Sequence, residues 1–203
     1  MPLSSALRTG QAQSTRPRRS RRRCLPPRRS ATSVVGLAGS LTTTSRSAAL
    51  VAYLLDLLKT RGVAGELIQL AELPADALLG RRHDPLVDGA LQRVTEARLL
   101  VVGTPVYRAS YTGQLKAFFD LLPRAALAGC SVGLIATGGI RDHALAIDHG
   151  LRPLVASLDG LSAVHAVYAT DADLETFPAG PLPPAVDEPL RALVDELEAL
   201  SRV

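Results

Sequence analysis

A chain of 203 residues that is 47% hydrophobic, with 16 Gly, 14 Pro and a mean hydropathy of +0.17, can bury one sizeable core. It has no run of the roughly 18 to 20 apolar residues that a membrane helix needs, so a soluble protein with no membrane partner is expected. Its net charge of +4 misleads: residues 1–33 hold nine arginines and no acid, while the remaining 14 basic residues face all 19 acidic ones, a net of −5. The body is mildly acidic, which excludes a uniformly basic nucleic-acid-binding face, and no nucleic-acid partner is expected for it. Cys24 and Cys130 have neither disulfide-framework nor zinc-site spacing, which fits a reducing cytoplasm.

The N-terminal extension has too few apolar residues and too many like charges to offset its ordering entropy, and it is expected to be disordered. Its leading reading is an extension without function; a targeting segment or a polyanion-binding arm are the alternatives. It lacks the apolar stretch of an export signal. Residues 34–203 form the second region, expected to be a single domain.

Along that region two periods alternate. Apolar strand-like runs fall at Val34–Ala38, Glu66–Leu70, Leu99–Gly103, Val132–Ala136 and Val164–Ala169, with helix-length stretches between them. A first helix carries Leu50, Leu54, Leu57 and Leu58 and stops before Gly62; a second spans Pro85–Ala97 and a third Gly113–Leu122. A fourth, Asp142–Leu158, has an apolar stripe and an internal Pro153 that should kink it. Thr170–Pro184 reads as a mobile, acidic, Pro-rich connection, and Asp187–Leu200 as a closing helix. The pattern implies an α/β fold, a doubly wound five-stranded parallel sheet of order 2-1-3-4-5 with helices on both faces. Ligands of such sheets bind beyond the carboxyl ends of the strands where the order reverses, which selects the loops after strands 1, 3 and 4.

The first of these loops, "GSLTTTSRS", offers hydroxyls, Arg46 and a helix start, a set suited to a phosphate; a plainly capped helix explains it equally well. It has neither GxxxxGK[ST] nor GxGxxG spacing. The second, "GTPVYRASYTG", holds two of the chain's seven aromatic residues, Tyr107 and Tyr111, beside Arg108. A planar ring could rest there, although tyrosines near loops are more often packing residues. The third, "ATGGIRDHA", offers Gly138 and Gly139 for close approach to the main chain, or an ordinary glycine turn. The histidines lack ligand spacing, so no metal is expected, and no GxSxG elbow is present.

"GLAGSLTTTSRS", "TPVYRASYTGQLKAFFDLLP" and "ATGGIRDHALAIDHGLRPLVASL" together resemble the NADPH-dependent FMN reductases, in the branch that supplies reduced flavin to alkanesulfonate-type monooxygenases. The likeness runs from about Val34 to Leu158. It implies a flavodoxin-like FMN-binding domain in which Ser40, Ser45, Arg46 and Ser47 hold the FMN phosphate. Thr104, Pro105, Val106 and Tyr107 would then contact the ribityl chain and ring, and Thr137, Gly138 and Gly139 the pyrimidine side. The nicotinamide of NADPH or NADH would be kept in register by the loops bearing Tyr107, Arg108 and Tyr111. Hydride would pass to flavin N5 with no side chain as acid or base, and reduced FMN would go to a flavin-dependent monooxygenase. The alternatives are a quinone, azo or chromate reductase on the same fold, and a non-catalytic flavodoxin-like electron carrier or sensor. Apolar surplus on the first and fourth helices, and the habit of such relatives, lead to the expectation of a homodimer or homotetramer.

Overall fold

The computed structural model describes residues 34–201. The Arg-rich extension, with its expected disorder, lies outside the described residues. Strands β1 (Val34–Ala38), β2 (Gly65–Gln69), β3 (Leu99–Pro105), β4 (Ser131–Gly138) and β5 (Leu161–Thr170) form one five-stranded sheet of order β2-β1-β3-β4-β5. Every neighbouring pair is parallel, and the order is the expected one.

Because side chains alternate across a strand, each central strand feeds two cores. Val34, Leu99, Val101 and Ile135 point to one face, where helices α1 (Arg46–Thr60) and α6 (Pro184–Ser201) bury Leu50, Leu54, Leu193 and Leu197. Val35, Leu100, Val102 and Leu134 point to the other. There they meet α2 (Ala75–Leu78), α3 (Pro85–Glu96), α4 (Gly113–Leu121) and α5 (Arg152–Ala156) through Leu78, Val94, Phe118 and Val155. No helix among the described residues is long and apolar enough to cross a membrane.

Three sequence expectations need correction. The fourth helix is not continuous: it divides into a 3₁₀ turn at Arg141–Ala144, a π turn at Ile147–Leu151 and the short α5. Pro153 accounts for the last of these breaks, since it has no N–H for a bond to the preceding turn and sits instead in the first turn of α5. The acidic connection after β5 is pinned rather than loose: Leu174 is fully buried, and Phe177 stands edge-on to Tyr53 of α1 with ring centroids 6.0 Å apart. Finally, α6 begins at Pro184, three residues early, because proline is well suited to a first helical position.

β5 is a sheet edge, and its register slips beside β4 between Val132 and Leu134, so that residues 163–165 bulge. Arg152 and Glu196 take up the freed backbone groups. Arg152 donates to the Ala163 and Val164 carbonyls, and Glu196 accepts from the Val164 and His165 N–H groups at 2.6 and 2.9 Å. Burial works to raise the Glu196 carboxyl, but these bonds and the His165 ring together hold it below its ordinary value of 4.5.

Close packing of α1 on the sheet is permitted at Gly103, where a Cβ would lie 3.1 Å from the Ser47 carbonyl oxygen and inside the Val51 side chain. Gly103→Ala should therefore destabilise the fold by about 1–3 kcal/mol through overpacking, read as a lower urea midpoint with an unchanged slope. A group whose folded pKa is lowered contributes stability above its ordinary pKa and loses it in acid. Thermal stability should accordingly fall as the pH drops below 4.5, and Glu196→Gln should flatten that fall across a pH series of melts.

Candidate functional site

At the carboxyl ends of β1, β3 and β4 the chain leaves a cleft of about 960 Å³, within the range of small-molecule sites. Its floor begins at α1. Ser45 occupies the N-cap position in extended conformation, yet makes no side-chain cap bond; its Oγ is instead 2.8 Å from Ser47 Oγ. No acidic residue stands in the first turn. The leading N–H groups of α1 are therefore left to whatever enters, and the helix dipole favours an anion there. Ser40, Thr42, Thr43, Thr44 and Ser45 line the cleft around that helix end.

The second wall is the loop after β3. Val106 N–H donates to the Thr137 carbonyl at 2.7 Å, which extends the β3–β4 pairing one step past Pro105. Tyr107 and Ser110 then exchange backbone bonds of 2.9 and 3.1 Å around Arg108 and Ala109, whose φ angles are 52° and 62°. Two non-glycine residues in the left-handed region make a tight mirror-image turn, and the turn holds Tyr107 half out of the protein at 51% exposure.

The third wall is the end of β4. A Cβ on Gly138 would lie 2.5 Å from Tyr168 Oη, so a larger residue there would have to displace the Tyr168 hydroxyl. Tyr168 donates from Oη to the Ile140 carbonyl at 2.6 Å. Burial, followed by the Asp171 and Asp173 carboxylates, pushes its phenol above the ordinary value, which keeps that donor protonated and the glycine turn fixed.

Of the residues singled out in the sequence, Ser40, Ser45, Arg46, Pro105, Val106, Tyr107, Thr137, Gly138 and Gly139 are brought together on this cleft. Four are placed elsewhere. Ser47 is fully buried beneath the helix start. Thr104 is fully buried too, where it accepts the Thr112 N–H at 3.3 Å and donates to the Pro105 carbonyl at 3.0 Å. Arg108 sits at the exposed tip of the turn, and Tyr111 lays its ring over Gly150 in the π turn. Neither lines the cleft.

Sequence reasoning missed Asp171, Phe177 and Pro178, which come from the connection after β5 and complete the wall beside α1. The available signal was the same topological rule, applied to a fourth strand end. It also missed Thr112, whose Oγ1 caps α4 by accepting the Leu115 N–H at 3.1 Å and donates to the Gly39 carbonyl. This buried hydroxyl ties the first loop to the second.

Comparison with known proteins identifies the family and the fold. A family model described as NADPH-dependent FMN reductase matches residues 32–174. A Pseudomonas putida protein named FMN reductase (NADPH) is 40% identical over 142 residues, covering 70% of this chain and 72% of that one. The NADH-dependent FMN reductase SfnE of Pseudomonas putida is 41% identical over 148 residues, covering 71% and 80%. Among solved structures, the apo form of the NADH:FMN oxidoreductase EMOB matches with a TM-score of 0.72 at 33% identity, over 84% of this chain and 89% of that one.

Thr112→Val removes a helix cap and leaves the buried Gly39 carbonyl unpaired, at a combined cost of about 2–4 kcal/mol. Thr112→Ser, which keeps the hydroxyl, should recover most of that loss in urea unfolding.

Proposed function

The chain belongs to the NADPH-dependent FMN reductase family and is an oxidoreductase that uses NAD(P)H to reduce FMN; from that premise we propose that the cleft beyond β1, β3 and β4 is where FMN is held. The observation that carries the proposal is the unfilled start of α1, ringed by hydroxyls and Arg46 and opening into a cleft of flavin size.

In this reading the Arg46 guanidinium, the Ser40 and Ser45 hydroxyls and the first-turn N–H groups of α1 hold the phosphate. Pro105, Val106 and Tyr107 form the wall for the ribityl chain and ring, while main-chain groups of Thr137, Gly138 and Gly139 face the polar pyrimidine edge. When bound, FMN supplies the chemistry by accepting a hydride from the nicotinamide. The protein's part is to hold the ring and present one face of it, with Tyr107 at the rim and Arg108 available to an incoming nucleotide. Backbone donors at the end of β4 are fixed before the reaction, so they stabilise developing negative charge without having to reorient. Thr104 and Ser47 serve from beneath by holding the loops, and Tyr111 by packing on the π turn.

The reading extends to residues 34–203 as one flavin-binding unit in a cytoplasmic homo-oligomer that hands reduced FMN to a flavin-dependent monooxygenase. Its support is the "TPVY" and "ATGG" resemblance in the sequence. An azo-type acceptor is the second reading, since an FMN-dependent NADPH-azoreductase of Staphylococcus aureus is 32% identical over 142 residues.

NADPH and NADH oxidation, followed by absorbance with free FMN in excess, should show many turnovers that require FMN. Faster turnover with an azo dye or a quinone would favour the second reading, and no turnover with any acceptor would contradict both. Arg46→Ala should weaken FMN binding about tenfold or more, because a bond to a charged group is worth about 1.5–3 kcal/mol. Riboflavin, which lacks the phosphate, should bind unchanged; fluorescence quenching measures both.

A further inference from the structure

Among the described residues, the side chains lining the cleft include a single cation, Arg46, and a single carboxylate, Asp171, and the two are paired: Arg46 Nη1 donates to Asp171 Oδ1 at 2.9 Å. We infer that Asp171 sets how tightly the flavin is held, by competing with the phosphate for the Arg46 guanidinium, so that the site favours exchange of FMN over permanent retention. This rests on the reading of the cleft as the flavin site.

Three observations support it. The pair is worth little as a structural link, because its side chains are 46% and 58% exposed and exposed pairs contribute near the lower end of measured values. Asp171 is also anchored beside the cleft: its N–H donates to the Gly138 carbonyl at 2.9 Å, which fastens its backbone to the end of β4. Its carboxylate lies on the wall between Arg46 and Gly139, with Oδ2 3.8 Å from where a Cβ on Gly139 would stand. Lastly, no other charged lining residue among those described offsets it. A phosphate arriving at the start of α1 finds Arg46, the one cationic side chain among the described lining residues, engaged and a negative charge beside it. A guanidinium has five donors and can hold both anions, but the carboxylate and the phosphate repel each other across it. Helix N–H groups and hydroxyls still attract the phosphate, so binding is weakened rather than prevented.

Asp171→Asn removes the charge and keeps the size and hydrogen-bonding capacity, and Asp171→Ser serves as a second variant should the first fold poorly. Affinities of the wild type and both variants for FMN and for riboflavin are read by fluorescence quenching at low and high salt. The expected result is FMN binding tightened about five- to tenfold at low salt, with the gain shrinking as salt screens the charge, riboflavin binding unchanged, and the fraction of protein purified with bound yellow flavin increased. Weakened or unchanged FMN binding overturns the inference and makes Asp171 a support that positions Arg46. Equal tightening of both flavins also overturns it, by tracing the effect to cleft shape. Failure of the wild type and both variants to bind either flavin is a separate outcome: it overturns the flavin site itself, and this inference with it.

Discussion

The first turn of α1 has backbone donors and nothing of its own to satisfy them. Ser45 stands where a capping side chain would reach forward, but its hydroxyl is engaged with Ser47, and the turn has no acid. The N–H groups of such a turn are met by solvent or by a ligand, and the proposed flavin phosphate would meet them here. The rest of the fold serves to aim this end of the helix. Gly103 lets α1 lie close against β3, Gly39 N–H donates to the Gly103 carbonyl at 2.7 Å, and Thr112 fastens the Gly39 carbonyl from the far side.

Around that fixed point the charges are few. Most of the cleft surface is hydroxyl, backbone and apolar wall, and the one cation and one carboxylate among its described lining residues face each other. A site of this kind binds an anion by oriented dipoles more than by net charge. Such binding suits a molecule that must enter as substrate and leave as product, whereas a carrier that never releases its flavin gains from a stronger clamp. The main chain does comparable work at the end of β4, where Gly138, Tyr168 and the backbone bond from Asp171 to Gly138 hold one turn from three directions.

Much of this was legible in the sequence because it depends on local pattern. Apolar strand-like runs marked all five strands, their alternation with helical stretches suggested the order, and the order pointed to the loops after β1, β3 and β4. Nine of the residues singled out do meet there. What stayed hidden depends on contacts distant in sequence or on unusual backbone. Ser47 reads as a site residue because it is a hydroxyl in the right loop and Thr104 because the resemblance implies it, but helix phase and strand alternation turn them inward. Arg108 and Ala109 carry none of the Asn or Gly that normally announces a mirror-image turn. Asp171 and Arg46 lie 125 residues apart, and no periodicity connects them. The break of the fourth helix before α5 has a local reason that was visible, Pro153, whereas the 3₁₀ turn at Arg141–Ala144 had no such signal.

The central claim is that FMN lies with its phosphate at the start of α1 and its ring between the ends of β3 and β4. Backbone amide shifts recorded by NMR while FMN is titrated into the isotopically labelled protein test this most directly. The account predicts the largest changes at Arg46–Ala48 and at Thr137–Gly139. Changes gathered instead at the opposite end of the sheet, around Val34, Gly65 and Arg93, with those amides undisturbed, would contradict it.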